Sequence, residues 1–394
     1  MTDVSRRALL GTALAGGAAV GLSAGSATQA ASQPVESGGR PSFGNVQPLL
    51  RGDTLPSFRF ALGALPKTNF RGGSVQEATV EVFPVSEEIG GALLTLDPGG
   101  LRELHWHANA AEWAYVISGR ARITILDPSG HSQTIDFGPG DVWYFPRGFG
   151  HSIQAIGGEP CVAVLIFDNG YAPAELTFSS TDWLGHTPPE VLAKTFGVPA
   201  SRFANFPKEQ VFITQGPVPG PLPETPLPGS LHSGAYTHRF HLLAQAPRTY
   251  AGGHLRIVSE REFPISETIT GALLTIAPGG LREPHWHPNA VEWQYYLKGR
   301  ARMTVFASGG RARTETFEAG DVGYVPRGYG HYIENIGDTE LQIVLGFNNG
   351  TYEAIELTEW FARNTKELLA TNFGVPVSTF DGFPDGPVVI AAGT

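Results

Sequence analysis

The chain repeats itself. Residues 91–170 and 271–350 align without a gap at an offset of 180 residues and are identical at 44 of 80 positions, so whatever one half folds into is built twice. Each copy holds Leu-Arg-Glu-x-His-Trp-His-x-Asn-Ala-x-Glu, at 101–112 and 281–292, and then Gly-Asp-Val-x-Tyr-x-Pro-Arg-Gly-x-Gly-His, at 140–151 and 320–331. In an extended strand, side chains two apart share a side. His105 and His107 therefore face one way and Trp106 the other, and Glu112, after a short turn, returns to the histidine side from the start of the next strand. The second segment reads as a strand ending in His151, which supplies a fourth ligand.

Any one of these histidines would ordinarily be a satisfied core residue, but eight residues in register twice argue for metal ligands. The sets are His105, His107, Glu112, His151 and His285, His287, Glu292, His331. Three neutral imidazoles and a carboxylate leave a divalent ion with one net positive charge and, in octahedral geometry, two open positions. That favours Mn(II) or Fe(II) over zinc, although spacing alone leaves zinc and nickel open. Arg102 and Arg282 stand three residues before the first histidine, an odd step that normally reverses the face, so each reads first as a surface charge. A bulge after Gly99-Gly100 or Gly279-Gly280 would return each guanidinium to the metal side. Arg147 and Arg327, just before a turn glycine, read as structural.

With 394 residues, 41% of them hydrophobic, the chain can bury two cores, and 50 glycines with 31 prolines point to short strands and tight turns. A net charge of -10 argues against nucleic acid, and an anionic substrate would need a local arginine. Cys161 is the one cysteine, so the fold has no internal disulfide. Ser5-Arg-Arg7, the small and apolar run Ala8 to Ala24, and the small residues near Ala27 to Ala31 make residues 1–30 a twin-arginine-type signal peptide. This predicts folded export to a periplasmic or extracellular location, with no membrane attachment after signal removal. Loading before export would protect a weakly held metal from copper and zinc.

Residues 31–60 read as an extended arm, and alternation then predicts strands at 78–83, 91–96, 113–118, 121–126 and 162–167, with a hairpin turn at 127–130. Each copy ends in short helices. Thr181 or Asp182 would cap the first and Gly197 stop the second, and Glu359-Trp-Phe and Thr365 to Gly374 repeat the plan. Such amphipathic tails suit contact with another subunit. The domains are set at 44–206 and 236–394, with a Pro-rich linker at 207–235 centred on Gly216 to Pro228.

The doubled His-x-His, the glutamate five later and the Gly-Asp-x-x-x-x-Pro-x-Gly-x-x-His segment resemble the bicupin oxalate decarboxylases, from about residue 44 to the end. The resemblance implies an all-β fold of two tandem cupin (jelly-roll) barrels with small helical tails. It implies one Mn(II) in each, a homotrimer or homohexamer, and conversion of oxalate to formate and carbon dioxide with O2 as catalytic co-substrate. It makes Arg102 and Arg282 the groups that hold the free carboxylate of oxalate, a task suited to bidentate arginine. It also implies a nearby acid whose proton decides between formate and peroxide. Relatives carry that acid second in a serine-rich pentad on a lid of the first domain. The aligned pentad here is Pro173-Ala-Glu-Leu-Thr177, so Glu175 stands third, and its ordinary reading is a solvated loop charge. In the second domain relatives have a glutamate where this chain has Leu345, while Tyr352 still matches, which places the main chemistry in domain one. Trp106 and Trp286 read as outer packing residues, with electron relay as a further possibility. The alternatives are an oxalate oxidase on the same scaffold, a sugar-phosphate isomerase or a dioxygenase for another small acid, and a storage bicupin.

Overall fold

The computed structural model describes residues 54–171, 176–222 and 237–393. The segment read as a signal peptide at 1–30, most of the expected arm, Glu175 and the C-terminal part of the Pro-rich linker lie outside the described residues.

Each copy of the repeat makes a barrel of two facing sheets, one of seven strands and one of six. Every pairing among the described strands is antiparallel. Side chains alternate between interior and surface in the smaller sheets, as in Arg300–Ala307, whereas strands of the larger sheets, such as Thr270–Ile276, are buried on both faces. In the first barrel Gly90–Leu96, Glu112–Ser118, Asp141–Phe145 and Cys161–Phe167 form most of the larger sheet. The smaller holds Gly100–His107, Ala121–Leu126, Ser132–Phe137 and Gly150–Ala155. The expected strands at 91–96, 113–118, 121–126 and 162–167 are all present, each within one residue.

The strand expected at 78–83 is not. The strand is Gly73–Ala78, and Thr79 begins a turn in which Val82 and Phe83 both donate to the Thr79 carbonyl. The turn swings Phe83 into the apolar cluster between the barrels, a tertiary demand that alternation does not reveal.

The barrels exchange edge strands. Arg59–Phe60, preceding the first barrel, pairs with Val322–Val325 of the second, and Arg239–His241, preceding the second, pairs with Asp141–Phe145 of the first. Each exchange covers an otherwise open edge. Within the expected linker, Ile213–Gln215 pairs with Gly100–His107 and so belongs to the first barrel's sheet.

The tails are short helices, Ser180–Gly185 and Pro189–Phe196 after the first barrel, Leu357–Ala362 and Lys366–Phe373 after the second. The cap of the first is Ser179, two or three residues earlier than Thr181 or Asp182, with its side chain accepting from the Asp182 amide. Thr365 caps the last helix, and Gly197 and Gly374 end their helices in the left-handed region, as expected.

Candidate metal centres

The four ligand residues of each set converge in the barrel interior. All eight are buried, and within each set the ligand atoms lie within 4.8 Å of one another. His105 and His107 point inward from Gly100–His107 while Trp106 lies outside, stacked on Phe178 with centroids 5.5 Å apart. Glu112 opens its strand as expected. His151 is instead the second residue of Gly150–Ala155. The preceding strand stops at Phe145, because Pro146 to Phe149 form a turn closed by the Phe149 amide on the Pro146 carbonyl. That strand start lies beside its partner, with His151 opposite His105 in register.

The imidazoles are oriented from behind. The Nδ1 atoms of His105 and His151 lie 2.6 and 2.9 Å from the Glu103 and Phe149 carbonyls, and that of His107 lies 2.9 Å from Thr177 Oγ1. In the second barrel the Nδ1 atoms of His285, His287 and His331 face the carbonyls of Glu283, Glu353 and Tyr329. A carbonyl can only accept, so each such ring keeps its proton on Nδ1 and turns a lone pair on Nε2 into the cavity. Burial holds His105, His107 and His285 below the ordinary imidazole pKa, His105 and His285 well below it. For Glu112 burial is outweighed by His107 and His151, which hold it well below the carboxylate range. Three buried ring nitrogens turned inward around one buried carboxylate, all within 4.8 Å of one another, are the donor set a divalent cation requires, so the residues fit the metal.

Bulges bring the arginines to the metals. Ile153 pairs with Arg102 and His151 with His105, so three steps on one strand oppose two on the other, and the same slip separates Arg282 from His285. The bulge lies beyond Arg102, not at the glycine pair. It buries two consecutive residues, Arg102 and Glu103, and leaves Leu104 exposed. Arg102 then lines a small cavity with His105, His107, Glu112 and Glu77. Its guanidinium carbon lies 3.8 Å from the centroid of Phe212, whose carbonyl accepts from Nη1 at 3.1 Å. Desolvation lowers its pKa to about 10, which leaves it charged at neutral pH.

Glu103 and Glu283 had no role in the sequence reading. Glu103 is buried and accepts from the Phe212 amide at 2.6 Å and from Thr181 Oγ1 at 2.5 Å, tying the tail to the strand that carries the ligands. Glu283 does the same with the Val389 and Thr358 amides. Phe212 and Val389 sit in the left-handed region at φ 61 and 62, where a side chain is strained. That conformation points each amide at the glutamate and each carbonyl at the arginine. Identity of the Arg-Glu pair in both copies was the available signal.

The second cavity differs in its charges. Arg282 lines it with Leu345 and Tyr352, but the guanidinium is held by Glu356, Nη1 to Oε2 at 2.6 Å and Nη2 to Oε1 at 2.7 Å. Burial works against that charge, and Tyr352 and Glu356 outweigh it, holding the Arg282 pKa above its ordinary value. Burial pushes the Tyr352 phenol up to about 12. Leu345 lines this cavity as Leu165 lines the first.

The cupin family model matches residues 61–202 and 240–379, one copy on each barrel. The oxalate decarboxylase of Bacillus subtilis (strain 168) is 45% identical over 309 residues, covering 78% of this chain and 80% of the relative. The chain belongs to the bicupin oxalate decarboxylases. A probable oxalate decarboxylase of Arthroderma benhamiae is 36% identical over 86% of this chain and 84% of its own length. Among solved structures, the Bacillus subtilis oxalate decarboxylase at pH 4.6 superposes with a TM-score of 0.82 at 40% identity, covering 87% of this chain and 89% of that one. Another structure of that enzyme comes from work on its Mn(II) centres. The family accounts for the doubled metal set and for the all-β fold with few helices.

Proposed function

We propose that this protein is a manganese-dependent oxalate decarboxylase whose chemistry takes place in the first barrel. The observation that carries the assignment of the barrel is that no carboxylate hydrogen-bonds to Arg102 on its metal cavity among the described residues, whereas Glu356 takes two nitrogens of Arg282. Mn(II), one per barrel, with O2 as co-substrate would supply the one-electron chemistry. His105, His107, Glu112 and His151 would hold the catalytic ion, and His285, His287, Glu292 and His331 the second. Arg102 orients oxalate by engaging one carboxylate in fork geometry. Apolar walls of Val75, Leu94, Ile153 and Leu165 exclude water.

The proton is assigned to Glu175. The chain on its far side is anchored, with Leu176 accepting from the Ala108 amide and Thr177 Oγ1 against His107. A proton delivered with return of the electron would give formate, whereas capture of the intermediate by O2 would give carbon dioxide and peroxide, so Glu175 would decide between decarboxylase and oxidase. Tyr352, sealed against His287 and Phe347, is assigned to the closure of the second site. Exposed Trp183, Phe196, Trp360 and Phe373 on the helical tails support association of subunits. Export by the twin-arginine route is part of the same reading, and Arg6→Lys with Arg7→Lys should abolish it.

The test is product analysis on Mn-loaded protein given oxalate in air at mildly acid pH, following formate, peroxide and carbon dioxide together. Formate near one per oxalate supports the decarboxylase. Peroxide with little formate makes it an oxidase, and neither product from metallated protein overturns the oxalate reading.

A further inference from the structure

The two barrels can be compared position by position at the arginine. In register, Ser179 lies opposite His105 and Glu356 opposite His285, so the two residues occupy one place in the fold. In the first barrel that place carries a short hydroxyl that caps a helix, and no carboxylate hydrogen-bonds to Arg102 among the described residues. In the second it carries a carboxylate that takes two guanidinium nitrogens, while the Val389 carbonyl accepts from Nη1 as well. A substrate carboxylate would have to displace a bidentate partner that is already desolvated. Arg282 is 3% and Glu356 9% exposed at the side chain, so neither can turn to water to make room.

Other features act in the same direction. The second metal cavity is walled by Leu345, Phe347 and Tyr352 beside its ligands. Outside it lies a cleft whose lining includes Glu353, Glu356 and Glu359, with Arg248 as its one cation. Tyr352 and Leu255 line both spaces, so a ligand coming from the cleft meets a mostly anionic rim before it meets the phenol.

We propose that Glu356 is a resident anion that occupies the carboxylate-binding arginine of the second metal centre and so reserves that centre from small carboxylates. The second ion is then held by protein ligands in a site closed to substrate, and the identity of one residue separates a substrate-binding barrel from a closed one. The ligand class rests on the oxalate reading of the first barrel.

The test uses the full chain loaded to two Mn(II), titrated with formate and followed by the electron paramagnetic resonance of the two ions, which needs no turnover. In the parent protein formate should perturb one ion per chain. In Glu356→Ser it should perturb both, with binding at the second site tightened by about tenfold or more as the arginine is released. Glu356→Gln keeps an oxygen acceptor, removes the charge, and should give the same change more weakly. It serves should the serine variant not fold. Formate perturbing both ions in the parent, or only one in well-folded, fully loaded variants, overturns the proposal. A parent that responds at neither ion with a variant that responds at one would support the proposal while removing the oxalate reading of the first barrel.

Discussion

Gly271 of the second barrel lies under the indole of Trp113 of the first, so close that a Cβ on Gly271 would stand 2.0 Å from Trp113 Cζ2. The contact is reciprocal, with Trp293 over Gly91 at 2.4 Å. Both indoles are fully buried in the cluster that joins the barrels. Duplication explains the pairing, because a tryptophan and a glycine facing each other across a pseudo-twofold axis must do so twice. Gly271→Ala should cost about 1–3 kcal/mol by overpacking, read as a lower thermal midpoint. Trp113→Phe in the same chain should return part of it. A variant as stable as the parent would mean that the contact yields at no cost.

Glu103 predicts a loss of another kind. Removing its carboxylate leaves the Phe212 amide and the Thr181 hydroxyl without their acceptor and frees a residue held at φ 61. Glu103→Ala should destabilise by about 3 kcal/mol. Because the same strand carries His105 and His107, metal affinity should fall with it, measurable by chelator competition. Unchanged metal affinity would confine Glu103 to a purely structural role.

Stability without metal should depend on pH with a definite sign. His105 and His285 have pKa values well below the ordinary 6.5 in the fold, because burial disfavours their charged form. The unfolded chain takes up these protons near 6.5 while the folded one refuses them, so their contribution is whole above that pH and is lost as pH falls below it. Glu112 and Glu292, held below the ordinary 4.5 by their histidine neighbours despite burial, add a second loss beneath 4.5. Thermal scans of metal-free protein from about pH 7.5 down to about pH 4 should show a falling midpoint, and metal-loaded protein a flatter one above the pH where the ion is released. A midpoint of the apo form that stays level or rises between pH 7 and 5 would contradict this.

The ligands were legible because their geometry is local: two histidines at strand spacing, a glutamate five on, and a second copy to confirm each. What was not legible depends on contacts across many residues. The burial of Arg102 follows from a bulge, which the glycine pair suggested but which the pairing places between Arg102 and His105. Glu356 binds an arginine 74 residues away. It also falls where the repeat loses register, since Thr181 and Thr358, which play the same part toward Glu103 and Glu283, differ by 177 rather than 180. The exchanged strands Arg59–Phe60 and Arg239–His241 are too short to carry a period. The left-handed residues Phe212 and Val389 are bulky or β-branched, types that backbone preference would place elsewhere.

The two arginines, equivalent in sequence, should respond differently to substitution. Arg102 has a carbonyl and a ring as neighbours and presents its fork to the cavity, so Arg102→Lys exchanges a planar pair of donors for a point charge. The loss should appear in kcat/KM for oxalate, by about 10²-fold, with the thermal midpoint little changed, since a buried cation is retained. Arg282 is spent on Glu356, and Arg282→Met would leave that carboxylate buried and unpaired. Its cost should fall on stability, about 3–5 kcal/mol, and Glu356→Leu added to it should restore much of the difference by removing the orphaned charge. Steady-state kinetics and thermal unfolding on the same four proteins separate the roles. Equal catalytic losses from Arg102→Lys and Arg282→Met, with equal stability, would mean that both barrels bind substrate and that the pair at Glu356 opens during turnover.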